Sequence, residues 1–246
     1  MKMTGHTVLI TGGASGIGLS LAKVFLANMN TVIVCGRNMN KLEQVKKQYP
    51  GIYPIHCNVS SPMEVTHMYE HLSSNFPSLN ILVNNAGIQH QYDFLKDESA
   101  LQKIDEEIDI NFKAVARLTK IVLPNLVKAS ESAIINVSSF LGIVPKSSAP
   151  IYCATKAALH AFSKSLRYQL QGTPVKVFEI ITPLVDTDMT KGREDDAGKI
   201  SPDILAREVM RNIEMDHYEI KPGRTKLVLF LNRVVPSLIQ KVIEKR

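Results

Sequence analysis

His6-Thr7-Val8-Leu9-Ile10-Thr11-Gly12-Gly13-Ala14-Ser15-Gly16-Ile17-Gly18 delivers a short β-branched run directly into a glycine-rich turn. Between a strand and a helix, glycines let backbone amides approach a pyrophosphate, with the anion at the helix N-terminus. The spacing is T-G-x-x-x-G-x-G and not the generic G-x-G-x-x-G. A tight turn without a ligand is therefore the competing reading at this point.

Working outward, short β-branched runs alternate with longer helical patterns along the whole chain, the signature of βαβ units and a parallel sheet. The pattern predicts strands near 6–10, 31–35, 52–57, 79–84, 132–138, 175–181 and 225–230. The expected fold is α/β, doubly wound and Rossmann-like: a mostly parallel seven-stranded sheet with helices on both faces. A length of 246 residues suits one large domain, and no repeat or linker divides residues 1–246.

A hydrophobic fraction of 45% and a mean hydropathy near zero describe an ordinary soluble enzyme. The chain runs almost at once into its first strand, which leaves no room for a secretory leader, and no apolar run is long enough to span a bilayer. The expectation is a cytoplasmic protein. Cys35, Cys57 and Cys153 are too few for a disulfide framework and lack zinc-ligand spacing, so they read as reduced, buried thiols, and no metal is expected. Of the net +6, the stretch from Arg224 to Arg246 carries +5, with Arg224, Lys226, Arg233, Lys241, Lys245 and Arg246 set against Glu244 alone. The rest is nearly neutral, which argues against a nucleic-acid face.

Strand ends carry the next signals. The second predicted strand ends in Gly36-Arg37, where an NAD site would place an acidic side chain for the ribose 2′-hydroxyl and a 2′-phosphate wants arginine. This points to NADP(H), with NAD(H) second; an arginine in an exposed turn is the alternative. Ser61-Pro62-Met63-Glu64 opens a helix and leaves Asn58-Val59 at a carboxyl strand end, where ligands gather. Asn84, closing an apolar strand, is expected to satisfy backbone groups. Asn111 falls inside a predicted helix from about 100 to 128, a place usually solvated for asparagine.

Tyr152-Cys153-Ala154-Thr155-Lys156 opens a helix predicted to run to about Gln171, so the phenol and the ammonium share a face. A lysine charge at ~5 Å in an effective dielectric of ~20 favours phenolate by ~3 kcal/mol. The helix N-terminus pushes the same way. A serine at the neighbouring strand end can orient the oxygen that exchanges the proton, and only one of Ser138 and Ser139 can point there, because strand side chains alternate faces. By itself a tyrosine–lysine pair on a helix is usually surface decoration.

Together, T-G-x-x-x-G-x-G at 11–18, N-N-A-G at 84–87, Asn111, N-V-S-S at 136–139 and Y-x-x-x-K at 152–156 resemble the main branch of the short-chain dehydrogenase/reductase family. The resemblance covers essentially the whole chain. The stretches Y-C-A-T-K-A-A-L-H, P-L-V-D-T-D-M and N-N-A-G-I-Q are similar to oxidoreductases encoded with the bacterial lipoteichoic-acid D-alanylation operon. The resemblance implies a dinucleotide-dependent oxidoreductase acting on a small carbonyl or alcohol. In it Tyr152 exchanges the proton, Lys156 tunes it and holds the nicotinamide ribose, Ser139 orients substrate, and Asn111 holds a relay water. It further implies cofactor contacts at Gly12, Ala14, Ser15, Gly16, Ile17 and Gly18, at Arg37, Asn58 and Val59, and at Asn85, Ala86 and Gly87.

The sequence departs from the family twice. Asn58 stands where aspartate is usual, and its amide oxygen can accept the same hydrogen bond from the adenine. Pro183-Leu184 replaces the usual Pro-Gly, so Pro183, Val185 and Thr187 are expected near the carboxamide and phosphates on a loop of altered path. A regulator that binds dinucleotide without turnover is the rival function, although such proteins commonly lose the tyrosine or lysine and both remain here. The family implies a homodimer or homotetramer. Residues 190–199 read equally as a substrate cover or a plain loop. The amphipathic tail 234–243 is expected to pack on its own domain or a sister subunit, with an anionic membrane surface as the alternative.

Overall fold

The computed structural model describes residues 1–192 and 199–244. Among these residues seven parallel strands form one sheet in the order β3-β2-β1-β4-β5-β6-β7. They are β1 (Thr7–Thr11), β2 (Thr31–Gly36), β3 (Ile52–His56), β4 (Leu79–Asn84), β5 (Ser132–Ser139), β6 (Val175–Thr182) and β7 (Glu219–Ile220). Side-chain alternation sends Val8 and Ile10 to one face and Leu9 to the other.

On the first face α1 (Gly16–Ala27), α2 (Met39–Gln48) and α7 (Pro202–Glu214) bury Leu21, Phe25, Leu42, Leu205 and Ile213. On the second, α3 (Pro62–Asn75), α5 (Ala114–Leu126) and α6 (Pro150–Gln169) bury Val65, Leu72, Leu118, Val122 and Leu166. This is the expected doubly wound architecture, with a sheet that is wholly parallel. Strand order reverses between β1 and β4, and the crevice at such a point is where ligands bind.

Two elements differ from the sequence reading. The predicted strand 225–230 lies inside a helix, α8 (Thr225–Val234); the seventh strand is the two-residue β7, pairing Glu179 with Glu219 and Ile180 with Ile220. Leu227 to Leu231 is uniformly apolar, a run that periodicity assigns to neither strand nor helix. A second short helix follows, α9 (Pro236–Glu244).

The predicted helix over 100–128 is α4 (Ala100–Ile108) and α5 joined through a π-helical turn, Asp109–Lys113. The extra residue rotates Asn111 inward, where it is fully buried and not solvated. Asn84 likewise departs from expectation: its amide donates to Thr119 Oγ1 and Asn136 Oδ1, joining a buried side-chain network. The segment 190–199, which reads equally as a cover or a plain loop, falls largely outside the described residues.

Candidate active site

A cleft of about 250 Å³ opens at the carboxyl ends of the strands. Its floor is the β1–α1 turn. Gly12 and Gly16 hold φ values of +63° and +52°, which side chains resist, and a Cβ on Gly18 would lie 2.4 Å from the Gly12 carbonyl oxygen. Thr11 Oγ1 accepts from the backbone amides of Asn85 and Ala86, and Asn85 Nδ2 donates to the Thr11 and Gly12 carbonyls. The two sequence-distant loops are thereby fastened together beneath the cleft.

At the far end the cleft is bordered by Gly36, Arg37, Cys57, Asn58 and Val59. Arg37 is exposed at the end of β2, with no acidic residue at that position. The Asn58 amide oxygen, expected to face an adenine, accepts from the Ser60 amide and hydroxyl, so both its lone pairs are engaged within its own turn. Lys41 at the start of α2 pairs at 2.7 Å with Asp188, which borders the cleft.

At the near end, Pro150 starts α6 at a position that favours proline, and places Tyr152 in the first turn. Lys156 lies one turn on, its Nζ 5.6 Å from the Tyr152 ring centre, and donates to the Val137 carbonyl at 2.9 Å. Burial pulls the Lys156 amine down to about 8, opposed by the Glu179 carboxylate. A Cβ on Gly87 would touch Asn111 Oδ1 at 3.2 Å and approach Lys156 Nζ at 3.6 Å. Asn111 is held on both sides, accepting from Ile88 N and donating to the Ile88 carbonyl and Thr155 Oγ1.

Ser138 borders the cleft; Ser139, buried beside it, accepts from Leu141 N–H at 3.1 Å. A hydroxyl that accepts in this way keeps its own proton to donate. Gly142 packs on the α6 backbone, where a Cβ would meet the Lys156 carbonyl carbon at 2.6 Å. The end of β5 and the tyrosine–lysine turn are therefore held in close register.

The cleft thus brings together Gly12, Ser15, Gly16, Ile17, Arg37, Asn58, Val59, Asn85, Ala86, Gly87, Tyr152, Lys156 and Thr187. Ala14, Gly18, Asn111, Ser139, Pro183 and Val185 stand behind this lining; Val185 is buried and bridges to Ile200. Sequence reasoning missed Thr182, Ser138 and Asp188 as lining residues. Thr182 closes β6, so the strand-end rule could have found it. All three cysteines are buried, and burial raises each thiol above its ordinary value, which disfavours the reactive thiolate.

The C-terminal helices reach this end too. Ile243 packs in one apolar cluster with Leu141, Val144, Tyr152 and Cys153, flanked by Leu229 and Ile239. Ser147 Oγ donates to the Glu244 carbonyl at 2.7 Å.

The cleft fits a dinucleotide. The N-terminus of α1 has neither a side-chain cap nor an acidic residue in its first turn, so its amides remain for an anion. The left-handed glycines shape the approach, and an arginine stands at the far end. Among the described residues no cluster of ligands suited to a metal ion occurs.

Residues 6–198 match the family model described as short chain dehydrogenase. The chain is 46% identical to the uncharacterized oxidoreductase DltE of Bacillus subtilis, over 80% of this chain and 79% of that one. Among solved structures, the closed form of a serine dehydrogenase complexed with NADP+ superposes with a TM-score of 0.79 at 27% identity, covering 87% of this chain and 92% of that one. A 3-ketoacyl-(acyl-carrier-protein) reductase from Brucella melitensis complexed with NADH gives 0.79 at 25% identity, covering 86% and 91%.

Proposed function

Because the chain belongs to the short-chain dehydrogenases, we propose that it is an NADP(H)-dependent oxidoreductase interconverting a carbonyl compound and its alcohol, with Tyr152 as general acid and base. One observation carries the reading: a single cleft joins the glycine turn and Arg37 to Tyr152 and Lys156. Relatives of this chain bind NADP+ in one case and NADH in another. Arg37, in place of an acidic residue at the end of β2, favours the phosphorylated form here.

When bound, the dinucleotide supplies hydride to the carbonyl carbon or takes it from the alcohol. The chain manages the proton. Tyr152 gives a proton to the carbonyl oxygen as the bond order falls, so negative charge does not build up there, and takes it back in the reverse direction. Lys156, while charged, favours the phenolate between turnovers and holds the nicotinamide ribose. The strand end Ser138–Ser139, with Ser138 on the cleft wall, orients the substrate oxygen, the role that the family resemblance gives to Ser139, and Asn111, behind that wall, supports a relay water beside Lys156.

Toward the other end, the α1 N-terminus and the Gly12–Gly18 turn take the pyrophosphate. Asn85, Ala86 and Gly87 take a ribose, and Val59 with Asn58 borders the adenine. Thr187, backed by Pro183 and Val185, closes on the carboxamide and phosphates. Residues 1–246 act as one dinucleotide-binding domain, in a cytoplasmic homodimer or homotetramer.

The test is NADPH binding by fluorescence, followed by loss of the nicotinamide absorbance across a panel of carbonyl compounds. Tyr152→Phe should lower turnover about 10²- to 10⁴-fold, the usual contribution of a positioned acid, and leave NADPH affinity nearly unchanged. Turnover equal to that of the parent would remove Tyr152 from the mechanism.

A further inference from the structure

We propose that the outer face of the α8–α9 hairpin docks on an anionic lipid leaflet. Leu229, Ile239 and Ile243 anchor the hairpin to the cluster that contains Tyr152. The sides of the two helices turned away from that cluster stand exposed: Leu227 is 56% exposed, Phe230 61%, Val234 60%, Leu238 59% and Val242 48%. Positions 227, 230 and 234 follow helical spacing on α8, as 238 and 242 do on α9, so each helix presents an apolar stripe. A row of large apolar side chains of this kind marks an interaction surface.

Charge decides what covers it. Arg224, Lys226, Arg233 and Lys241 are exposed on or beside the same two helices, and Glu244 is the one acidic residue in 224–244. A second copy would bring like charges together across the contact. A leaflet of anionic headgroups over acyl chains matches both the basic groups and the apolar stripe. The helices span ten and nine residues, and among the described residues no helix is long and apolar enough to cross a membrane. The hairpin therefore lies on the surface. Because α9 packs beside Tyr152, docking would also bring substrates dissolved in the leaflet to the cleft; that consequence rests on the oxidoreductase reading, whereas the docking does not.

The full chain is mixed with vesicles of phosphatidylcholine alone or with phosphatidylglycerol, at low and high salt, and sedimented. Binding is expected with phosphatidylglycerol only, weakened by salt. Lys226→Gln with Arg233→Gln should lower the partition about tenfold or more, and Phe230→Ser with Leu238→Ser at least as much. Far-UV circular dichroism and an unchanged thermal midpoint report that each variant is folded. The chain has no tryptophan, so Phe230→Trp gives a single reporter whose emission should shift to the blue on anionic vesicles, while Met63→Trp, exposed on α3, should not shift. No binding to phosphatidylglycerol, or binding that both double variants leave unchanged, overturns the proposal. So does a dimer in solution that Phe230→Ser with Leu238→Ser dissociates, since a second copy would then cover this face.

Discussion

At the Tyr152 end of the cleft Tyr152, Lys156, Ser139 and Asn111 are between 0% and 8% exposed, whereas toward the other end Arg37 is exposed and Lys41 half-buried. The buried end fixes its groups before any ligand arrives, with Lys156 on the Val137 carbonyl and Asn111 between Ile88 and Thr155. That fixity costs desolvation of an ammonium. The exposed end presents charge on solvated side chains, which avoids desolvation and leaves the geometry of Arg37 to be set on binding. Substitutions at the first end should therefore change stability and chemistry together, and those at the second should change which ligand is held and for how long.

Lys156 tests the buried end, with the largest effect. Its folded value of about 8 lies below the ordinary 10.5 because burial disfavours the charged form. Between those values the unfolded chain binds more protons than the folded one, so stability rises with pH across that window. Below about 8 the penalty is fully present, on the order of 3 kcal/mol; above 10.5 it is gone. Lys156→Met should be inactive yet more stable than the parent near neutrality, an advantage that shrinks between pH 8 and 10.5 in denaturant titrations. A difference independent of pH would mean the buried amine carries no such penalty. Carbonyl reduction by the parent should fall as pH rises through about 8 and the ammonium is lost.

The same contrast explains what could be read from the sequence. The glycine turn was legible because φ at Gly12 and Gly16, and the close approach at Gly18, leave no alternative residue. Tyr152 and Lys156 were legible because helical spacing alone brings them together. Asn111 read as solvated, since its burial depends on a π turn closed by tertiary contacts to Ile88 and Thr155. The orientation of Asn58 depended on Ser60, a local competitor for the same oxygen. Residues 225–230 read as a strand because the apolar run that begins at Leu227 has no period; Glu219–Ile220 forms the edge of the sheet, and the run is helical against the Tyr152 cluster.

Arg37 sharpens the exposed end. If it reads the 2′-phosphate, Arg37→Ser removes charge-assisted hydrogen bonds worth roughly 1.5–3 kcal/mol, and NADPH affinity should fall about ten- to a hundredfold. NADH affinity should hardly change. Titrating both dinucleotides against parent and variant separates the cases: an equal loss for the two would show that the arginine shapes the turn and does not select the phosphate.

The smallest effect is expected at Lys41 and Asp188, whose side chains are 43% and 70% exposed and pair at the border of the cleft. The hydrogen bond from Lys41 holds the Asp188 carboxyl below its ordinary value, so the pair is intact at neutral pH and is lost only as pH falls through that lowered value. Solvent screening limits such a pair, and its removal should change a rate by no more than about fivefold. If the pair closes over bound dinucleotide, Asp188→Asn should speed NADPH release by up to that factor in stopped-flow displacement, and added salt should reduce the difference. Slower release in the variant would mean that Asp188 competes with the 2′-phosphate for Lys41. The exposed end would then hold its ligand with two cations, one of them restrained by the protein until the phosphate arrives, and its charge would be partly arranged in advance, as at the buried end.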